Sequence, residues 1–252
     1  MKKTESHRLF RSGFLAAVLL VAGCQSPKEG ASAVAATDTA TSSAAYSPTK
    51  ESQAAATPQS ALAELKAGNA RFVAGHPVKR NVREAITVTS SGQYPLAVVL
   101  SCVDSRKPVE IVLDQGIGDI FSARIAGNVM NDDILGSMEF ACKLSGAKLI
   151  AVLGHSNCGA IKGAVDGAEL GNLTGLLNKI HPAMDRVPAD VQPRSSKNLK
   201  FVDKVGEANV RLVMDQIRDR SPVLREMLDH GQIGMVGGMY DLSTGEIHFF
   251  DK

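Results

Sequence analysis

Two five-residue apolar runs, Leu96-Ala97-Val98-Val99-Leu100 and Leu149-Ile150-Ala151-Val152-Leu153, each lead directly into a cluster of chemically reactive side chains. The first opens into Ser101-Cys102-Val103-Asp104-Ser105-Arg106, the second into Gly154-His155-Ser156-Asn157-Cys158-Gly159. Short runs with no polar alternation suit strands covered on both faces, the situation of a parallel sheet. Further apolar runs lie at 120–126 and 233–236, with helix-like stretches at 134–144, 172–180 and 200–217. Thr57-Pro58 opens another helical pattern, with Leu62, Leu65 and Ala70 on one face and Gly75 near its end. The segment 246–251 follows a Ser243-Thr244-Gly245 turn and reads as a hairpin partner. The fold class is therefore α/β: a mainly parallel central β-sheet flanked by helices, with an antiparallel C-terminal edge strand.

If the two runs are neighbouring strands, both clusters sit at carboxyl ends, where open α/β sheets bind ligands. A helix and a strand separate them in sequence, so strand order must reverse between them. His155 and Cys158, three apart where a loop turns into a helix, can reach one ion, and Cys102 arrives from the other strand end. Cys₂His suits Zn²⁺, and three protein ligands leave one tetrahedral position for water, as catalytic zinc requires. Cys158 at a helix start is favoured as thiolate. Asp104 and Arg106, two apart, would point to one side of an extended chain and pair. The guanidinium keeps the carboxylate ionised, an acceptor only. Asp104 can then take a hydrogen from the water or swing onto the metal and close the site. Read singly, Cys102 and Cys158 suit a disulfide in an oxidising compartment, and Asp104–Arg106 an ordinary surface ion pair. Their company favours the metal. Cys142, inside a helical pattern, reads as a small buried apolar residue.

The 252 residues carry 28 Lys and Arg against 26 Asp and Glu, a net charge of +2, which leaves no broad electrostatic footprint for nucleic acid. Aromatic residues make up 4% and Trp is absent, so base-stacking platforms are not expected. The N-terminus is differently built. Lys2, Lys3, His7, Arg8 and Arg11 precede an apolar run at 13–22, well short of the roughly 20 residues of a membrane span and suited to a secretory signal. The run ends in Val21-Ala22-Gly23-Cys24, which resembles the lipobox of bacterial lipoproteins. That resemblance implies cleavage before Cys24 and lipidation on its sulfur. The segment 24–57, rich in Ala, Ser and Thr, reads as a flexible tether, leaving 58–252 as the domain. The expected location is the periplasm or cell surface, on the outer membrane of a Gram-negative cell because Gln25 follows the cysteine.

The pair C-x-D-x-R and H-x-x-C, with 53 positions from Cys102 to His155, resembles the β-class carbonic anhydrases, as do DQGIGDIFSARIAGNV and ILGSMEFACKLSGAKLIAVLGHSNCGAIKGA. The resemblance implies zinc on Cys102, His155 and Cys158, one ion per subunit, with Asp104 and Arg106 as a catalytic dyad and Asp104 a fourth ligand in a closed state. It implies that Gln93 hydrogen-bonds substrate or bicarbonate, and that Phe121, Ala126 and Phe140 line an apolar CO₂ pocket, often across a dimer interface. The family commonly has Val and Tyr where this chain has Ala126 and Phe140. Val99 stands where one subclass carries a tryptophan, so the noncatalytic bicarbonate site of that subclass is not expected. The implied activity is reversible hydration of CO₂ to bicarbonate and a proton by zinc-bound hydroxide, in a homodimer or higher homo-oligomer. Two other readings share these motifs: a catalytically silent zinc- or bicarbonate-binding module, and a CS₂ or COS hydrolase on the same fold.

Overall fold

The computed structural model describes residues 48–250. Cys24, the signal-like segment 1–23 and most of the tether at 24–57 lie outside the described residues. Three helices come first: α1 (Lys50–Ala55), α2 (Pro58–Val73) and α3 (Val82–Thr89). Next follow β1 (Ala97–Ser101), α4 (Val109–Val112), β2 (Ile120–Arg124), α5 (Asp132–Glu139) and β3 (Leu149–His155). The chain continues through α6 (Gly159–Val165), α7 (Gly171–Leu177), α8 (His181–Asp185), α9 (Leu199–Arg220) and α10 (Pro222–Asp229). It closes with β4 (Gly234–Tyr240) and β5 (Ile247–Phe249).

The sheet order is β2-β1-β3-β4-β5. The first three pairings are parallel and β4–β5 is antiparallel. After β2 the chain returns across β1 to place β3 on its other side, so strand order reverses between β1 and β3. Every residue of both strands is buried, as their unbroken apolar runs require. Alternation along the pleat sends Val98, Leu100, Ile150 and Val152 to one face, where Val210, Val213 and Ile217 of α9 and Leu224 of α10 cover them. Ala97, Val99, Ala151 and Leu153 face the other way, against Ala61 and Leu65 of α2 and Val109 and Val112 of α4.

Local chemistry explains the helix starts. Thr57 caps α2 through a reciprocal pair of bonds with Ser60, and Pro58 occupies the first turn, where no backbone donor is needed. The buried stripe of α2 is Ala61, Leu65, Gly68 and Asn69. Ala70, expected on that face, is exposed. The apolar reading missed the phase because Gly68 and Asn69 are buried for other reasons. A Cβ on Gly68 would lie 1.9 Å from the carbonyl oxygen of Leu113, and the Asn69 amide bonds Val112 and Gly245 oxygens at 2.9 Å each.

The expected helix over 134–144 starts earlier, where Asn131 accepts from Ile134 N at 2.8 Å, and it loosens into a π-helical turn at Phe140–Leu144. Ordered structure also begins before Pro58: Gln53 of α1 bonds the carbonyl oxygens of Pro95 and Ser145 at 2.8 Å each. In β4, the glycines serve close packing. A Cβ on Gly237 would meet Met214 at 2.7 Å and Phe250 and Val210 at 2.8 Å.

Candidate metal centre

The register of β1 on β3 ends with Ser101 opposite Leu153. Cys102 is the next residue past that point, and His155 lies two past it on the other strand. Cys158 is the residue preceding α6. One ligand atom from each of these three buried residues lies within 4.8 Å of the others. The two sulfurs are 4.0 Å apart and both cysteines are free, so the disulfide reading is set aside.

His155 tests whether a metal belongs here. Its Nδ1 is engaged by the Ser156 carbonyl at 2.9 Å, which leaves Nε2 as the free ring nitrogen. That Nε2 is buried without a hydrogen-bond partner. A buried nitrogen lone pair facing two thiols is costly unless something fills it. Two sulfurs and one imidazole nitrogen in this arrangement fit zinc with a fourth position to spare.

The surroundings favour the charged form of Cys102 and the neutral form of Cys158, the reverse of what its place at a helix start suggested for Cys158. The Cys158 thiol donates toward Cys102, outweighing burial, and Gly127 N donates to the same sulfur at 3.3 Å, so the Cys102 thiol is held far below its ordinary value. Donating that bond, together with burial, pushes Cys158 up. Gly127 reaches the sulfur because it adopts φ +66° in the turn Ala126–Asn128, and because a Cβ there would lie 2.9 Å from Ile180. Asn209 of α9 fixes the turn by donating to the Gly127 carbonyl at 2.8 Å. Asp203 of the same helix accepts from Asn157 N at 2.8 Å, holding the loop between His155 and Cys158.

Asp104 and Arg106 pair closely, through a turn at Ser105-Arg106 rather than the extended chain the sequence suggested. Asp104 Oδ1 accepts from Arg106 N at 3.0 Å and Nε at 2.9 Å, and Oδ2 accepts from Nη2 at 2.7 Å. These bonds, led by the guanidinium, hold the carboxyl well below the usual carboxylate range. Oδ2 is 3.8 Å from His155 Nε2.

Other expected site residues lie elsewhere in the chain. Gln93 is exposed ahead of the amino end of β1, whereas Cys102 follows its carboxyl end. Phe121 pairs in register with Val98, about 13 Å along the strand from Cys102, and meets Phe140 edge-on at 6.0 Å between centroids. Ala126, half-buried, stands nearer, just before Gly127. One chain thus brings together the three side chains that could hold a metal and the Asp104–Arg106 pair, but neither Gln93 nor the aromatic pair.

Sequence reasoning missed Arg124 and Lys107. Arg124 donates from Nε to the Cys102 carbonyl at 3.1 Å and also bonds the Asp104 carbonyl, pinning the loop that carries both. The available signal was a charge inside the strand sequence IFSAR. Lys107 is wholly buried, and nothing in its neighbourhood of sequence marks it as such.

The fold and this Cys-His-Cys cluster define an α/β protein with a site that fits zinc. The profile of the carbonic anhydrase family matches residues 97–247. The chain is 36% identical over 193 residues to the carbonic anhydrase of Mycolicibacterium smegmatis, covering 75% of this chain and 92% of that one. It is 36% identical over 190 residues to carbonic anhydrase 2 of Mycobacterium tuberculosis H37Rv, covering 75% and 90%. Among solved structures it resembles the β-carbonic anhydrase CafA of Aspergillus fumigatus (TM-score 0.61, 25% identity, 77% and 90% covered). It also resembles one of two tetrameric β-carbonic anhydrases of Sordaria macrospora (TM-score 0.58, 23% identity, 68% and 87% covered). The chain belongs to the β class of the carbonic anhydrase family.

Proposed function

We propose that the reversible hydration of CO₂ to bicarbonate and a proton is carried out here by Asp104 and Arg106 beside a zinc ion held by Cys102, His155 and Cys158. The observation that carries this reading is the partnerless His155 Nε2, buried and facing two thiols. When bound, zinc supplies a water whose pKa falls to about 7, so that hydroxide is available near neutrality. Asp104 Oδ1 is occupied by two Arg106 donors and Oδ2 by one, which leaves one lone pair free on Oδ2, the oxygen nearer His155. Its carboxylate accepts a hydrogen from the nucleophile and orients the attacking lone pair. Arg106 holds that carboxylate in place and keeps it ionised, which would keep it off a bound metal.

Gln93 reaches a site only from a second copy of the chain, because it lies at the opposite end of β1 from its own Cys102. The same logic applies to Phe121 and Phe140, which would form the apolar wall of a CO₂ pocket between copies together with Ala126. Phe140 is 48% exposed in the single chain, as such a role demands. We therefore read the active form as a homodimer or larger homo-oligomer. The N-terminal sequence supports export, with Cys24 lipidated and the enzyme tethered on the periplasmic or outer face of a membrane. Mass spectrometry of the membrane-extracted protein tests this: an acylated Cys24 as the first residue is expected, and an intact N-terminus overturns it.

The decisive experiment on function is stopped-flow CO₂ hydration with zinc content measured on the same sample. Zinc-dependent hydration that rises with pH is the expected result. Zinc-replete protein without activity would instead favour the silent binding module, with Asp104 on the metal.

A further inference from the structure

The loop between β1 and α4 buries a lysine beside the metal centre. Lys107 is 0% exposed, and its Nζ donates to the carbonyl oxygens of Leu153 at 2.8 Å and Gly154 at 3.0 Å. Two neutral carbonyls satisfy two of its three donors but leave its charge unanswered. A buried charge persists only where opposite charge is near. Burial pushes the Lys107 pKa down to about 7, the negative charge of Cys102 and Cys158 opposes that shift, and Arg124 adds to it.

Its placement matters as much as its charge. The ladder between β1 and β3 stops at Ser101 and Leu153, so no strand pairing fixes Cys102 relative to His155. Lys107 spans that gap. Its backbone N donates to the Asp104 carbonyl at 3.2 Å, on the loop of Cys102, and its ammonium grips the residue directly before His155. Arg124 serves only the loop side, through the Cys102 and Asp104 carbonyls.

We infer that Lys107 is a positioning residue for the metal, tying the Cys102 loop to the strand end that carries His155. The inference rests on the zinc reading above. A partner one step removed from metal ligands changes metal affinity by about 10–100-fold when lost. The experiment measures zinc affinity of the full chain by competition with a chromophoric chelator, and the visible absorption of the Co²⁺-substituted protein. Lys107→Met and Lys107→Gln are expected to weaken zinc at least about tenfold and to alter the Co²⁺ bands, with Lys107→Arg restoring most of both. A lysine that merely fills space gives the opposite pattern. Replacing its buried charge with the apolar chain of Met would then change melting temperature alone, leaving affinity and spectrum intact, and that result overturns the inference. Should Lys107→Met fail to fold, Lys107→Gln decides, since it keeps a donor and loses the charge. Wild-type protein that binds no zinc overturns the zinc reading itself, whereas equal binding by wild type and variants overturns this inference alone.

Discussion

Asp104 Oδ2 stands 2.7 Å from Arg106 Nη2 and 3.8 Å from His155 Nε2, so the carboxylate is shared between its clamp and the metal's threshold. Asp104→Asn keeps the shape and removes the acceptor charge. It is expected to retain zinc and to lose hydration by about 10²–10⁴-fold, the range for a positioned proton acceptor. Stopped-flow rates at matched zinc content check this, and full activity in the variant would remove Asp104 from the mechanism.

Arg106→Ala tests the clamp from the other side. Without the guanidinium, the carboxylate is free to turn onto the fourth metal position. The expected outcome is a zinc-loaded protein with depressed turnover near neutrality. Crystals of the variant at neutral pH should show Asp104 as a metal ligand; an unligated Asp104 with normal turnover would argue that the bidentate pair is ornamental.

These two residues show how far the sequence carried. The strands were legible because their apolar runs are unbroken and end abruptly in polar clusters, and burial on both faces leaves no other explanation for such runs. Cys102, His155 and Cys158 were legible because metal-binding side chains stood at the ends of just those strands. The geometry between Asp104 and Arg106 was not, since a turn, not an extended chain, brings them together. Lys107 and Arg124 were opaque for a different reason. Their partners are backbone carbonyls of distant residues, and carbonyls carry no sequence signature. The phase of α2 slipped at Gly68 and Asn69 because one is buried by close approach and the other by its hydrogen bonds.

Gly127→Ala probes a position where conformation and space agree. The residue sits at φ +66°, and an added methyl would press on Ile180 at 2.9 Å. Strain of about 1–3 kcal/mol is expected. Because Gly127 N donates to the Cys102 sulfur at 3.3 Å, zinc affinity should fall together with the melting temperature. Loss of stability with unchanged zinc binding would separate the turn from the metal centre.

Asp114 gives a pH dependence distant in sequence from the metal ligands. Burial raises its pKa, but hydrogen bonds from Arg71 and Arg80, each at 2.5 Å, outweigh burial and leave it below the ordinary carboxylate value. The folded value is thus depressed relative to the unfolded value of about 3.9. Its stabilising contribution is complete above that unfolded value and is lost as pH falls through the folded one. Asp114→Asn should therefore lower stability near neutral pH by about 1–3 kcal/mol and flatten the acid limb of the stability curve. Denaturant titrations of both proteins across the acid range check the sign; an unchanged acid limb would count against it.

The placement of Gln93 yields a test by complementation. If Gln93 serves the site of a second copy, a Gln93→Ala chain still carries an intact Asp104 and an Asp104→Asn chain still carries an intact Gln93. A mixed oligomer then contains sites that draw Asp104 from one chain and Gln93 from the other. Each variant alone should be impaired, and unfolding and refolding the two together should restore activity that neither shows separately. Were Gln93 to act within its own chain, no mixed site would hold both residues, and the mixture would show only the average of its parts.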